Sequence, residues 1–163
     1  MRFPPLLFLC FNSIFCFGHA DTTSIKNHLE KITKTGQYRN HQNIDQLNKV
    51  ANYIKQDFLN YSDSVSFQEY TVDGKIYKNV ICSFGTENQQ RIIVGAHYDV
   101  CGNQEGADDN ASGVVALLEL ARQLQTQKLS KRIDLVTYTL EEPPYFRTEY
   151  YGKLHPCKVS VRP

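Results

Sequence analysis

No Cys-x-x-Cys pair occurs anywhere in the 163 residues, which sets aside a paired-thiolate zinc finger. Charge of one sign is missing as well. The 18 Lys and Arg face 17 Asp and Glu, and no basic stripe points to nucleic acid. Beyond the first twenty residues, no segment is long and apolar enough to span a bilayer. Repeats and low-complexity tracts are absent too, so the chain reads as ordinary sequence of one-domain length.

What is present begins with an apolar start. Arg2 supplies a positive charge, residues 6–17 an apolar core, and Gly18-His-Ala20 small residues at a cut. This pattern predicts an export signal over residues 1–20, with a buried N-terminal anchor as the alternative. The mature chain then starts at residue 21 and is secreted or periplasmic. Without Arg2 its formal charge is zero, and without Cys10 and Cys16 it keeps Cys82, Cys101 and Cys157. An odd number of thiols leaves at least one unpaired. Export would permit a Cys82–Cys101 disulfide, though the spacing does not call for one. Asn60-Tyr-Ser62 and Asn110-Ala-Ser112 are glycosylation sequons only in a host that glycosylates exported chains.

Periodicity supplies the elements. Thr23-Ser24 is placed to cap a helix carrying Ile25, Leu29 and Ile32 and stopping near Gly36. Ile44, Leu47, Val50, Ala51, Ile54 and Phe58 recur at helical spacing. Strand-like runs cover residues 65–72 and 75–84, joined by Asp73-Gly74, a dipeptide suited to a tight hairpin. Ile92-Ile-Val94 reads as a buried strand, and Ser112 as the cap of a helix over 113–124. Residues 133–140 form a further β-rich run closed by Pro143-Pro144. Two helices, a hairpin, a strand, a helix and a strand predict an α/β domain with a mixed sheet covered by helices.

Candidate chemistry lies at the ends of these runs. His97 and Asp99 are two apart, so their side chains can leave one face of a strand. The pair suits a metal-ligating imidazole with a carboxylate on its other nitrogen, and equally an inert surface pair. Asp108-Asp109 sits in a glycine-flanked turn before a helix. One of the two could bridge a pair of metals, or both could merely complement the helix dipole. Glu141-Glu142 ends an apolar strand, where one carboxylate can bind metal while its neighbour takes a proton from water.

Taken together, Gly95-Ala-His97-Tyr-Asp99, Gly106-Ala-Asp-Asp109-Asn-Ala-Ser-Gly113 and Leu140-Glu-Glu142 resemble the exported zinc aminopeptidases with two co-catalytic metals. Those are the bacterial leucyl aminopeptidase type, of which glutaminyl cyclases are more distant relatives. The likeness runs from about His28 to Gly152, and the Asp109-Asn-Ala-Ser-Gly113 stretch is closer to the peptidases. The resemblance implies a zinc exopeptidase-like fold and two Zn2+ ions. It makes His97 a ligand of one zinc, Asp109 a bridge and Glu142 a ligand of the other. Glu141 becomes the general base, Asp99 orients His97, and peptide N-termini are the substrate. It also implies a non-proline cis peptide at Asp109-Asn110.

Such enzymes are nearly twice this length and use a further aspartate and histidine, so the resemblance covers the N-terminal half of the fold. Residues 21–152 are expected to be that half. His155 has no matching motif around it and reads as a surface histidine. From Lys153 the likeness breaks. Suitable codons for that stretch, read one base later, give Ser-Tyr-Ile-His-Ala-Lys-Ser, similar to how related enzymes continue. Residues 153–163 are therefore expected to be an aberrant tail produced by a frameshift.

Overall fold

A computed structural model describes residues 20–150. Most of the expected signal segment, the expected tail, and His155 and Cys157 lie outside the described residues.

The first helix, α1, spans Thr22–Thr33 and is capped by Asp21, whose Oδ1 accepts from the amides of Thr23 and Ser24, both at 3.0 Å. The cap thus lies two residues before Thr23, the first residue of the Thr23-Ser24 expectation. An aspartate just before the first turn outcompetes the hydroxyls because its charge also complements the helix N-terminus. The helix ends before Gly36, which turns the chain at φ +75°. Helix α2 (Ile44–Phe58) is capped by Asn43 and buries Leu47, Val50, Ala51, Ile54 and Phe58, as the spacing requires.

Strands β1 (Val65–Val72) and β2 (Lys75–Phe84) form the hairpin. Asp73 and Gly74 turn it at φ +49° and +74°, a geometry that both residue types tolerate. Strand β3 (Arg91–His97) is followed by helix α3 (Ser112–Leu124) and strand β4 (Arg132–Tyr138). The sheet order is β1-β2-β4-β3, with β3 and β4 parallel and the other pairs antiparallel. This is the mixed sheet of an α/β domain. Strand β4 stops before its apolar run does, since Leu140 at φ +60° cannot continue a strand.

The core lies between sheet and helices. Ile54 and Phe58 of α2, Val80 of β2, Leu118 of α3 and Leu135 of β4 are all essentially removed from solvent. Each contributes at most ~1.5–3 kcal/mol of transfer free energy. Cys82, buried in β2, and Cys101, half-buried in a loop, are both free thiols. Between β3 and α3 the chain makes a one-turn irregular helical segment, Ala107–Ala111. Its Asn110, rather than Ser112, caps α3: Asn110 Oδ1 accepts from the Gly113 amide at 3.1 Å. Ser112 is already helical, at φ −60° and ψ −42°, so its hydroxyl bonds back to the Asp108 carbonyl instead.

Candidate metal centre

Parallel strands in open α/β sheets place ligands beyond their carboxyl ends. Here those ends are His97, last residue of β3, and the Leu140-Glu141-Glu142 turn just after β4. The irregular turn before α3 brings Asp109 to the same place. His97, Asp109, Asn110, Glu141, Glu142, Pro143 and Phe146 line an open cleft of about 500 Å³.

Within it, His97 Nε2 lies 2.9 Å from Asp109 Oδ1 and 3.5 Å from Glu141 Oε2. One ligand-type atom from each of His97, Glu141 and Glu142 falls within 4.8 Å of the others. Asp109, not Asp108, is the acid in contact with the imidazole. The Asp109-Asn110 peptide is cis, as the resemblance implied. On the other side of the ring, Nδ1 is 3.5 Å from Asp99 Oδ1 and 3.3 Å from the Asp99 carbonyl. Asp99 is 1% exposed, and its Oδ2 accepts the Glu142 amide at 3.1 Å. It therefore ties the two strand ends together besides facing His97, a second role that its sequence position did not reveal.

The electrostatics are those of a site in want of positive charge. Burial disfavours a charged His97 imidazole. The adjacent Asp99 carboxylate, with the charges of Glu141 and Asp109, outweighs burial and raises its pKa to about 9. Burial pushes the Glu142 carboxyl up, and the charges of Asp109, Asp99 and Glu141 add to that, while His97 opposes it. Asp99 Oδ1 is buried without a hydrogen bond, the His97 contact being too long to satisfy it. One imidazole and three carboxylates, those of Asp109, Glu141 and Glu142, line one opening and fit a borderline divalent cation such as Zn2+.

Sequence reasoning missed Arg39 and Asn40, which bond to the loop between His97 and Asp109. No local pattern marks them, since their partners are main-chain oxygens about sixty residues away.

Solved structures with this architecture place the chain by class. It superposes with a TM-score of 0.60 on a Zn-dependent exopeptidase from Parabacteroides distasonis, at 25% identity over 80% of this chain and 48% of that one. The Porphyromonas gingivalis glutaminyl cyclase gives a TM-score of 0.60 at 26% identity, over 82% and 48%. Uncharacterized protein YfbL of Escherichia coli (strain K12) is 40% identical over 153 residues, 89% of this chain and 47% of that protein. Residues 79–161 match peptidase family M28, and the chain belongs to that family. It spans about half the length of the relatives it matches.

Proposed function

We propose that this chain supplies the amino-terminal ligand set and general base of a zinc aminopeptidase, which hydrolyses N-terminal bonds of peptides or proteins. The observation that carries this reading is the convergence of His97, Asp109, Glu141 and Glu142 on one cleft. His97 would hold one zinc ion and Glu142 a second, with Asp109 shared between them. Zinc held there supplies Lewis acidity toward the scissile carbonyl and lowers the pKa of water. Glu141 accepts the proton of the attacking water on its carboxylate and delivers it to the leaving amine. Asp99 holds the Nδ1 side of His97, leaving Nε2 directed into the cleft, and its grip on the Glu142 amide keeps the two glutamates beside the imidazole. The predicted export signal makes the compartment secreted or periplasmic.

The described residues offer each zinc only two protein ligands, His97 with Asp109 and Asp109 with Glu142, whereas catalytic zinc sites use three. The 163-residue chain by itself is therefore expected to turn over aminoacyl-nitroanilides negligibly. Chelator-sensitive cleavage by the purified chain would overturn that expectation. Calorimetric titration with zinc tests the site itself. Binding that disappears in His97→Ala supports the metal centre, and binding that His97→Ala leaves unchanged leaves only a non-catalytic remnant of the fold. The likeness to the Porphyromonas gingivalis glutaminyl cyclase favours a second reading, cyclisation of N-terminal glutamine. A glutaminyl peptide assayed beside the nitroanilide separates the two.

A further inference from the structure

A buried arginine stands where the chain between His97 and Asp109 folds back on itself. Arg39 is 1% exposed, and every donor contact described for it goes to a main-chain oxygen. Its Nε donates to the Tyr98 carbonyl at 2.6 Å and its Nη2 to the Gly106 carbonyl at 2.7 Å. Nη1 donates to the Glu105 carbonyl and, at 3.5 Å, to that of Ile32. Two further contacts join the same segment to the loop. The Arg39 carbonyl accepts the Val100 amide at 3.2 Å, and Asn40 Nδ2 donates to the Gly102 carbonyl at 2.9 Å.

The geometry points to Arg39 as a positioning residue that sets the spacing of His97 and Asp109 by clamping both ends of the 98–106 loop. This rests on the reading that those two side chains hold metal. Tyr98 follows His97 directly, and Gly106 lies three residues before Asp109, so one planar guanidinium fixes the start and the finish of the connection. A fork of five donors in one plane can do this, while a lysine ammonium, one point on a flexible stem, cannot. Removing a guanidinium from water is unfavourable unless its donors are met, and three of the four contacts described for them are to that loop. Burial lowers the Arg39 pKa to about 10 against the raising influence of Asp99 and Glu105, so it stays charged at neutral pH. The loop is built to receive it. Gly106 has φ +55°, and a Cβ there would sit 2.3 Å from Val100 Cγ1 and 2.6 Å from the Asp109 carbonyl oxygen.

The test uses the full chain and cobalt(II) as the probe, with affinity read from visible absorption and metal-free folding from circular dichroism. Arg39→Lys and Arg39→Met are compared with wild type. The expected result is a folded metal-free protein whose cobalt affinity has fallen about 10–100-fold, the range for lost outer contacts to ligands, with an altered cobalt spectrum. Added guanidinium should restore part of the affinity of Arg39→Met. Wild-type affinity and spectrum in a folded Arg39 variant would overturn the proposal. Loss of folding in both variants would overturn it as well, since Arg39 would then serve the whole fold rather than the loop. A wild-type chain that binds no cobalt sinks the metal reading itself, and the proposal with it.

Discussion

The helix-covered face of the sheet and the loops at its carboxyl end are held in different ways. On that face, Ile54, Phe58, Leu118 and Leu135 are essentially buried and packed by apolar contact, which is non-directional and spread over many neighbours. At the carboxyl end a few directional bonds do the holding: Arg39 on three loop carbonyls, Asp99 on the Glu142 amide, Asn110 on the Gly113 amide. The first region should tolerate a change of shape at roughly constant volume, and the second should not tolerate loss of one oxygen or one N–H. Stability and site geometry are therefore separable properties of this chain.

The largest effect that would sharpen the contrast is Leu118→Ala. It should lower unfolding free energy by ~2–5 kcal/mol through lost transfer energy and a cavity. Urea titration measures it, and cobalt affinity of the remaining folded protein should be nearly unchanged. A parallel drop in intrinsic affinity would mean that the two regions are not separable.

Next in size is a pH effect in the metal-free protein. The folded His97 pKa, about 9, lies above its ordinary value of 6.5. A raised pKa contributes stability that is fully present below pH 6.5 and is lost as pH rises from there through about 9. The contribution is on the order of 2–3 kcal/mol. Thermal melts in chelator between pH 6 and 10 should show this decline, and His97→Gln should remove its share. An unchanged profile in that variant would show that other groups set the pH response.

Smallest in stability terms is Asp99→Asn. Asparagine keeps an oxygen for the Glu142 amide, so at pH 10, where the charged imidazole no longer contributes, unfolding should change by only about 1 kcal/mol. Losing the carboxylate beside Nδ1 should still weaken zinc or cobalt binding by about 10–100-fold. Equal metal affinity in this variant would remove Asp99 from the site and break the contrast at its most specific point.

Much of the fold is legible residue by residue. The α2 stripe of Leu47, Val50, Ile54 and Phe58, and the Asp73-Gly74 hairpin, follow from periodicity and from tolerance of positive φ. Helix caps were not legible, because Asp21 competes with Thr23-Ser24 and Asn110 with Ser112, and each contest turns on where the first helical turn begins. Strand ends were blurred too, Leu140 being apolar yet out of the strand. The cleft residues could be named because the three motifs together resemble a family of two-metal zinc aminopeptidases, while the residue pattern by itself left Asp108 and Asp109 as rivals. Arg39 could not, because nothing local distinguishes an arginine that bonds distant carbonyls from one that faces water.

The amino-acid order alone determined which segments become helices and strands, and which side chains of metal-binding type end them. Spacing of two or 3.6 residues sets local direction, and direction sets which face a side chain takes. Tertiary structure decided that Asp109 rather than Asp108 meets His97, that Asp99 joins the ends of two strands, and that Arg39 braces the loop between His97 and Asp109. Those distances run between residues far apart in the chain, where only packing of the sheet and its helices brings one backbone against another.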